Sequence, residues 1–500
     1  MQQFQRVSLV LMVLPGVALA GPRFEPVAAP AHQYVGGWEH FVGGGIAAFD
    51  CDGDDLPELY AAGGEAPAML LRNRSGGAVR VEADTPEALV LTGVTGAYPV
   101  DVDDDGVLDL AVLRVGENRL FKGGPNCAFT PMALESPDAW TTAFSATWEA
   151  GATAPTLVFG NYVDRSDPDG PFEACDVHHL YRPGADGYGA PELLGPGFCT
   201  LSMLFSDWNR SGRADLRVSN DRHYYVRGGE EQMWAMETEP RLYTQAEGWR
   251  HHMLWGMGIA SRDITGDGKP EVYLSSMGDQ KLQALEDGAE GPSYQTVPFE
   301  RGTAAQRPHV GGDGRPSTGW HTAFGDVTND GLDDLFVSKG NVDQMMNSAM
   351  DDPNSLLEQQ ADGRFVEVSA EAGVASMVRS RGAALVDLNG DGLLDLAVNN
   401  RRAPLEIYHN VTEAPGNWLS VSLRQNPPNR LALGAIVEVQ ADRLHTREWT
   451  IGGGQAGGHF GVEHFGLGAA DAVRLRVIWP DGEVGAWLTL DTNQAVTLTR

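Results

Sequence analysis

One acidic pattern recurs along most of this 500-residue chain and restricts its fold more than any other feature. Each copy has Asp at position 1, an acid, Asn or Thr at position 3, usually Asp at position 5, usually Gly at position 6 and an acid at position 9. An alternating apolar run follows the copies, so we predict that each copy is the turn of a β-hairpin. The six copies begin at Asp50, Asp101, Asp207, Asp263, Asp326 and Asp387.

Oxygen-bearing side chains at this spacing suit Ca²⁺, which takes about six to eight oxygen ligands. An EF-hand is excluded, because position 12 is apolar in the five best copies instead of the required Glu. The copy beginning at Asp207 departs through Ser211 at position 5, so we expect five to six ions. The predicted ligands are Asp50, Asp52, Asp54, Glu58, Asp101, Asp103, Asp105, Asp109, Asp207, Asn209, Ser211, Asp215, Asp263, Thr265, Asp267, Glu271, Asp326, Thr328, Asp330, Asp334, Asp387, Asn389, Asp391 and Asp395.

The spacing of the copies predicts the architecture. Successive copies start 51, 106, 56, 63 and 61 residues apart, and the double interval indicates a degenerate unit whose turn lies at residues 148–156. Seven units of roughly 50 to 60 residues, each long enough for four strands, predict an all-β, seven-bladed β-propeller. Residues 23–31 are similar to residues 364–372, so we predict that they supply the outer strand of the last blade and close the ring.

Charge and the N-terminal segment favour a location outside the cytoplasm. The net charge of −32 disfavours nucleic acid and anionic lipid as partners. Residues 1–20 fit a signal peptide, with Arg6, an apolar run and a small-residue site at Ala18 and Ala20, so we expect a secreted or periplasmic protein. No later run is apolar over a membrane-spanning length, and no transmembrane segment is predicted.

Four cysteines in an exported chain indicate up to two disulfides, with three possible connectivities. We favour Cys175 with Cys199, because both would lie in one repeat. Cys51 and Cys127 are then the remaining pair. No Cys-x-x-Cys spacing supports a zinc site or a redox dithiol.

The acidic repeats resemble the FG-GAP or VCBS repeats of integrin α-chain propellers and of many secreted bacterial proteins. This resemblance covers residues 24 to about 412 and implies that the turns bind calcium on one face of the propeller. From Asn417 onward the segments around Gly454, Phe465 and Trp479 look like the ASPIC/UnbV domain. The combination resembles the cartilage acidic protein family, which is extracellular, acidic and calcium-binding. One departure is the segment ending at His459, where that family more often has a Phe-x-Ser-Gln-type sequence.

The sequence therefore predicts three regions. They are a signal peptide at residues 1–20, the seven-bladed propeller at 21–412, and an ASPIC/UnbV domain at 413–500 that forms a small β-sandwich or barrel. This last region is expected either to be a cap that packs on the propeller or to be a ligand-binding module, and its loop at residues 452–458 is expected to use the positive φ angles that glycine allows.

No linear motif of a hydrolase, metalloprotease or nucleotide-binding enzyme is present. Our leading hypothesis is a calcium-stabilised, non-catalytic propeller that binds an extracellular or envelope protein or a glycan. The alternatives are a calcium-dependent polysaccharide lyase or hydrolase that acts at the channel mouth, and an envelope assembly scaffold. Residues expected to gather at the mouth opposite the acidic turns, where they could bind a ligand, are His40, His251, Trp255, Trp320, His321 and Arg381.

Overall fold

The computed structural model describes residues 21–167, 174–185, 187–221 and 229–500. The predicted signal peptide lies outside the described residues. In these ranges the chain is built almost entirely from short β-strands, and the only α-helix is the single turn Ser369–Ala372. The predicted all-β class is confirmed.

Seven four-stranded antiparallel groups follow one another through the described part of residues 24–410. Five of them are separate sheets, and the second and third groups join into one eight-stranded sheet where Ala139 and Trp140 pair with Gly116 and Val115. The strand β1 (Phe24–Val27) comes first in the chain but belongs to the last sheet. The first group contains β2 (Ile46–Phe49), β3 (Glu58–Ala61), β4 (Met69–Asn73) and β5 (Val81–Ala83), and the second contains β6 (Val94–Val100), β7 (Asp109–Gly116), β8 (Arg119–Gly124) and β9 (Ala128–Met132). The third contains β10 (Ala139–Thr147), β11 (Thr156–Asn161), β12 (His178–Tyr181) and β15 (Glu192–Leu194). Between β12 and β15 the chain forms a separate short hairpin of β13 (Pro183–Gly184) and β14 (Gly187–Tyr188).

The next four sheets repeat this order. They are β16 (Thr200–Ser206), β17 (Asp215–Asn220), β18 (Gln232–Ala235) and β19 (Arg241–Leu242); β20 (Gly256–Arg262), β21 (Glu271–Ser276), β22 (Lys281–Leu285) and β23 (Tyr294–Thr296); β24 (Gly319–Gly325), β25 (Asp334–Lys339), β26 (Ser355–Gln359) and β27 (Phe365–Glu367); and β28 (Ser380–Val386), β29 (Asp395–Asn400) and β30 (Glu406–Asn410) with β1.

The sheets close into a ring, which is the arrangement of a β-propeller. The first strands of consecutive sheets contact one another in the order β2, β6, β10, β16, β20, β24 and β28, and β28 contacts β2 again. The last sheet is completed by β1, which pairs with β30 from Phe24 opposite Asn410 to Val27 opposite Ile407. Residues 24–27 of the predicted segment 23–31 thus form the outer strand of the last sheet, whereas residues 28–31 lie outside the strand.

The core of the propeller lies between neighbouring sheets. Leu59 and Leu71 of the first sheet, for example, pack with Ala397 and Ile407 of the last. Full burial of a Leu side chain contributes about 1.5 to 3 kcal/mol, so each interface holds the ring together. The innermost strands are mostly buried and consist largely of small and apolar residues, with buried polar exceptions such as His321 and Arg381.

The C-terminal domain is a small β-sandwich. One sheet orders β34 (Glu463–Gly468), β31 (Asn417–Arg424) and β37 (Gln494–Thr499), with β31 and β37 parallel. The other orders β33 (Leu444–Glu448), β32 (Ile436–Gln440), β35 (Ala472–Ile478) and β36 (Leu488–Asp491). Alternate side chains of β31 face the core, because successive residues of a strand point to opposite sides.

This domain sits on the propeller face that carries the acidic turns. Arg430 N–H donates to Asp104 Oδ1 at 2.7 Å, and the Arg447 guanidinium pairs with Asp333 at 2.9 Å. Its apolar residues belong to the same buried cluster as the first three sheets. The two domains therefore share a core.

Candidate functional site

Each acidic turn connects the first and second strands of a sheet, so the six turns lie on one face of the ring. The turns follow β2, β6, β16, β20, β24 and β28. The third sheet has a hairpin between β10 and β11 at the position predicted for the degenerate unit, without the acidic pattern.

The aspartate at position 1 organises the main chain of its own turn. Asp101 accepts backbone N–H hydrogen bonds from Asp105 at 3.2 Å and Gly106 at 2.9 Å. The first aspartates of the other five turns accept two such bonds in the same way. Main-chain donors therefore hold the loop in shape.

The acid at position 9 ties the turn to the third strand of its sheet. Asp109 is buried and accepts N–H bonds from Val102 of its own turn and from Gly123 of β8, each at 2.8 Å. Asp334 and Asp395 accept the equivalent pairs of bonds. The sequence pattern predicted only metal ligation for this position. Its structural role was missed because the second donor lies on a strand that comes later in the chain.

Carboxylates converge most closely in the first two turns. Ligand oxygens of Asp50, Asp52 and Glu58 lie within 4.8 Å of one another, and the second turn has an equivalent group. The second group is Asp101, Asp103 and Asp109. These are positions 1, 3 and 9 of the pattern, so the structure brings the predicted residues together there.

Basic residues that the sequence analysis did not single out also reach these two turns. Arg72 of β4 pairs with Asp52 at 2.6 Å, and Lys122 of β8 contacts Asp103 and, at 2.7 Å, Asp105. Both basic residues lie in the third strand of a sheet whose turn has Asp at position 3. The sequence signal that could have identified them is a Lys or Arg in the third strand of a unit whose turn has Asp at position 3.

The fourth sheet departs further from the pattern. The Asp215 carboxylate accepts hydrogen bonds from the Trp208 indole at 2.9 Å, the Tyr243 hydroxyl at 2.7 Å and the Met236 N–H at 3.0 Å. These donors occupy much of the acceptor capacity of Asp215. They extend the departure already visible at Ser211.

Burial raises the pKa of carboxyl groups in the turns. The pKa of Asp101 and that of Asp109 rise to about 7, first because the groups are buried and then because other turn carboxylates lie close. The pKa values of Asp326 and Asp334 also rise well above the ordinary value, for the same two reasons. Grouped, desolvated carboxylates of this kind are stabilised by a cation.

The residues predicted at the opposite mouth do not form one ring. Trp320 is fully buried, donates its indole N–H to Gly340 at 2.7 Å and lies under the guanidinium of Arg381, 3.9 Å from the ring centre. His321 is buried and faces the C-terminal domain, where its Nδ1 accepts the Gln455 N–H at 3.1 Å.

His40 lies near Arg381, which donates from Nε to the main-chain oxygen of Phe41 at 2.9 Å, whereas His251 and Trp255 are placed separately. His40 is buried beside Tyr34, with a ring-centre distance of 6.0 Å. His251 is exposed and contacts Glu230, and Trp255 is half-buried before β20. The six residues therefore do not form a single group. Trp320, Arg381 and His40 lie together at the predicted mouth, whereas His321 faces the C-terminal domain.

The centre of the ring is filled by the channel loop, residues 452–458 of the C-terminal domain. Its main chain bonds to successive inner strands, with Gly458 O accepting Ala48 N–H at 3.0 Å and Ala456 O accepting Ala97 N–H at 3.1 Å. On the other side Gly454 N–H donates to Ile259 O at 2.7 Å. The sequence left two alternatives for the C-terminal domain, a cap or a ligand-binding module; this loop makes the contacts of a cap that enters the channel.

Glycine is required on both sides of this contact. A Cβ at Gly96, in the wall of the channel, would lie 1.8 Å from Ala456 O. Gly454 has φ +57°, and a Cβ there would lie 2.4 Å from His321 Cε1. The glycines that looked like flexible loop residues in the sequence therefore allow two backbones to approach closely.

Both predicted disulfides are present. Cys175 pairs with Cys199, and Cys51, in the first acidic turn, pairs with Cys127 next to β9. In the described residues no helix is long and apolar enough to cross a membrane.

The C-terminal domain matches a known family. Residues 425–500 match the family model of ASPIC and UnbV. The chain is similar to cartilage acidic protein 1 of Xenopus tropicalis, with 33% identity over 111 residues that cover 21% of this chain and 17% of that protein. It is also similar to cartilage acidic protein 1 of Mus musculus, with 26% identity over 234 residues that cover 46% of this chain and 34% of that protein.

The suspected resemblance is therefore confirmed, and the matched regions span about a third or less of the length of these relatives. Among solved structures the chain is similar to BBS1N in complex with ARL6DN, at a TM-score of 0.47 and 10% identity over 78% of this chain and 98% of that chain. It is also similar to a streptogramin B lyase structure, at a TM-score of 0.42 and 11% identity over 78% and 97% of the two chains.

Proposed function

We propose, from a propeller that carries a C-terminal domain of the ASPIC and UnbV family, that this chain is an extracellular calcium-binding module that binds a protein or carbohydrate partner. The observation that carries the calcium assignment is the convergence of Asp101, Asp103 and Asp109 within 4.8 Å. Two disulfides support a location outside the reducing cytoplasm.

The turns fit Ca²⁺ in their chemistry. Hard oxygen ligands from positions 1, 3, 5 and 9 would hold the ion, and the buried acid at position 9 would also hold the turn in shape through the main-chain N–H bonds that it accepts. When bound, the ion supplies positive charge that offsets the repulsion of grouped carboxylates. Arg72 and Lys122 would release the carboxylates that they contact when the ion binds.

Thermal unfolding with and without calcium tests this assignment. Ligand binding to the folded state stabilises by about 2.7 kcal/mol per site at a hundredfold excess over Kd, so millimolar Ca²⁺ should raise the Tm by many degrees relative to chelator. Mg²⁺ is the control, because it prefers small octahedral sites and should give a smaller rise. An equal Tm in calcium and in chelator would reject calcium binding.

A capture experiment tests the binding role. The protein is immobilised and offered glycan arrays and extracellular protein extracts, first in calcium and then in chelator. Saturable capture of one class of partner that is lost in chelator supports the proposal. Failure to retain any partner in calcium contradicts it.

A further inference from the structure

Four arginines gather at the propeller mouth opposite the acidic turns. Three of them surround a single carboxylate, with Asp343 Oδ1 3.3 Å from Arg402, 3.5 Å from Arg401 and 3.7 Å from Arg379. Arg381 lies beside them and donates to the main-chain oxygen of Val342 at 2.6 Å. We call this group, Arg379, Arg381, Arg401 and Arg402 around Asp343, the arginine patch.

The topology fixes the place of the patch. The acidic turn of the last sheet follows the end of β28, whereas Arg379 precedes its start and Arg401 follows the end of β29. The patch is therefore at the far end of the strands, away from the C-terminal domain. Arg402 and Arg379 keep 48% and 27% of their side-chain surface exposed, while Arg401 is buried.

One carboxylate cannot neutralise four guanidinium groups. The nearby carboxylates have other partners, since Glu39 pairs with Arg165 at 2.7 Å and Glu65 accepts the Gly37 N–H at 2.8 Å. Burial, and then the like charge of a neighbouring arginine, lowers the pKa of Arg401. Within the patch, four guanidinium groups thus face one carboxylate, in a chain whose net charge is −32. The surface on the other side of Trp38 is lined by acids, namely Glu39, Asp138, Asp164 and Asp167 beside Arg165.

The patch also has donor capacity left. Arg402, whose side chain is 48% exposed, donates to Gly36 O at 3.1 Å and to Asp343 Oδ1 at 3.3 Å, which uses two of the five N–H donors of a guanidinium. Both outer arginines meet Asp343 only at 3.3 Å or more, which is longer than the 2.7–2.9 Å usual for a bond between charged groups. Planar guanidinium groups with free donors match carboxylate and sulfate groups, which they bind in pairs of hydrogen bonds.

An exposed aromatic ring stands next to the patch. Arg401 donates to the main-chain oxygens of Gly36 and His40, and the turn Trp38–His40 lies between these two acceptors. Trp38 is 41% exposed and packs edge-on against the buried Trp140 at 4.7 Å. The arginines therefore hold the turn that carries the partly exposed indole of Trp38.

We propose that the arginine patch binds the carboxylate or sulfate groups of an acidic polysaccharide, with a sugar ring stacked on Trp38. Oxyanions supply the missing negative charge, and an extended sugar chain can reach the indole and the guanidinium groups together. The proposal names the ligand class for the binding function proposed above and rests on that function.

Binding of acidic oligosaccharides to the intact protein tests the proposal. Affinities are measured by titration calorimetry for a uronic-acid oligosaccharide and a sulfated glucan oligosaccharide of about six sugars, at fixed Ca²⁺ and physiological salt. The double variant Arg379→Ala/Arg402→Ala removes the exposed donors and should weaken binding at least tenfold. Trp38→Ala should weaken binding, but the dependence of the affinity on salt concentration should keep the wild-type slope, because the number of neutralised charges does not change.

A charge-matched control is available. Arg80→Ala/Arg364→Ala removes two exposed arginines, each ion-paired two residues away on an outer strand region, and should leave the affinity unchanged. Circular dichroism and Tm confirm that both double variants are folded.

Each outcome separates the two proposals. Equal binding by the wild type and by Arg379→Ala/Arg402→Ala overturns the patch while leaving the binding function in place. Capture of a poly-aspartate peptide in preference to both oligosaccharides overturns the glycan assignment. No binding of these probes, together with silence in the capture experiment, overturns the binding function itself.

Discussion

His321 joins the propeller to the C-terminal domain through a bond that needs an unprotonated ring nitrogen. Its Nδ1 accepts the Gln455 N–H at 3.1 Å, and burial lowers the pKa of the imidazole to about 4. The folded protein keeps this ring neutral in a pH range where the unfolded chain protonates it. A contact that the sequence presented as a possible ligand site is thus a pH-dependent link between domains.

The sign of the pH effect follows from the direction of the shift. Between pH 6.5 and about 4 the unfolded state binds more protons, so the contribution of His321, on the order of 2 to 3 kcal/mol, is present above pH 6.5 and is lost as pH falls toward 4. His321→Asn keeps an acceptor that does not titrate. Denaturant unfolding across this range should therefore show a shallower loss in the variant, and parallel curves for the two proteins would contradict the prediction.

Gly454 is the residue at which a single methyl group should disturb the domain contact most. Gly454→Ala adds a Cβ 2.4 Å from His321 in a left-handed backbone conformation. Gly482→Ala is the matched control, because it has φ +85° but no heavy atom within 4 Å. We expect Gly454→Ala to lower the free energy of unfolding by about 1 to 3 kcal/mol more than the control, measured by denaturant titration. Equal losses would mean that the clash is relieved by movement of the loop.

The acidic hairpin turn combines two roles that mutation can separate. Asp103, at position 3, contacts only Lys122 among the hydrogen-bond partners found, whereas Asp109, at position 9, receives two main-chain donors. We expect Asp103→Asn to reduce the calcium-dependent rise in Tm with little change in chelator. Asp109→Asn should cost about 1 to 3 kcal/mol in chelator as well, because a buried donor loses its acceptor. Equal losses of stability in the two variants in chelator would reject this division of roles between positions 3 and 9.

The hairpin turns and their strands could be predicted from sequence because both signals are local. Asp, Gly and the alternating apolar run lie within about a dozen residues, and hydrogen bonds inside the turn reproduce that spacing. The partners of the position 9 acid, and the bases Arg72 and Lys122, lie on a later strand, where no fixed spacing points to them. The six residues expected at the channel mouth do not form one group. The sequence pattern indicates the order of the strands, but it does not indicate which side chains are buried between sheets.

The two domains should unfold together. They share one buried cluster, and the channel loop bonds to inner strands on several sides of the ring. We therefore expect one calorimetric transition for the intact chain, with equal calorimetric and van't Hoff enthalpies. Two resolved transitions would show that the contacts between the domains contribute little to stability.

The position of the channel loop was beyond the sequence, since nothing in residues 452–458 indicates a partner more than 100 residues away. Its glycines are explained only by the close approach of the channel wall. At Gly96, in that wall, an added Cβ would lie 1.8 Å from Ala456 O. The two sets of glycines are complementary across a contact that only the tertiary structure brings together.

The pairing of β1 with β30 has a consequence for how the protein is made. Phe24 meets Asn410, which is synthesised 410 − 24 = 386 residues later. At about 5 to 20 residues per second, the first strand waits roughly 20 to 80 s for its partner, and the channel loop arrives later still. During that time its edge is open to other strands. We therefore expect that a chaperone covering the free first strand would reduce aggregation until β30 is available, while the sheets in between can form earlier.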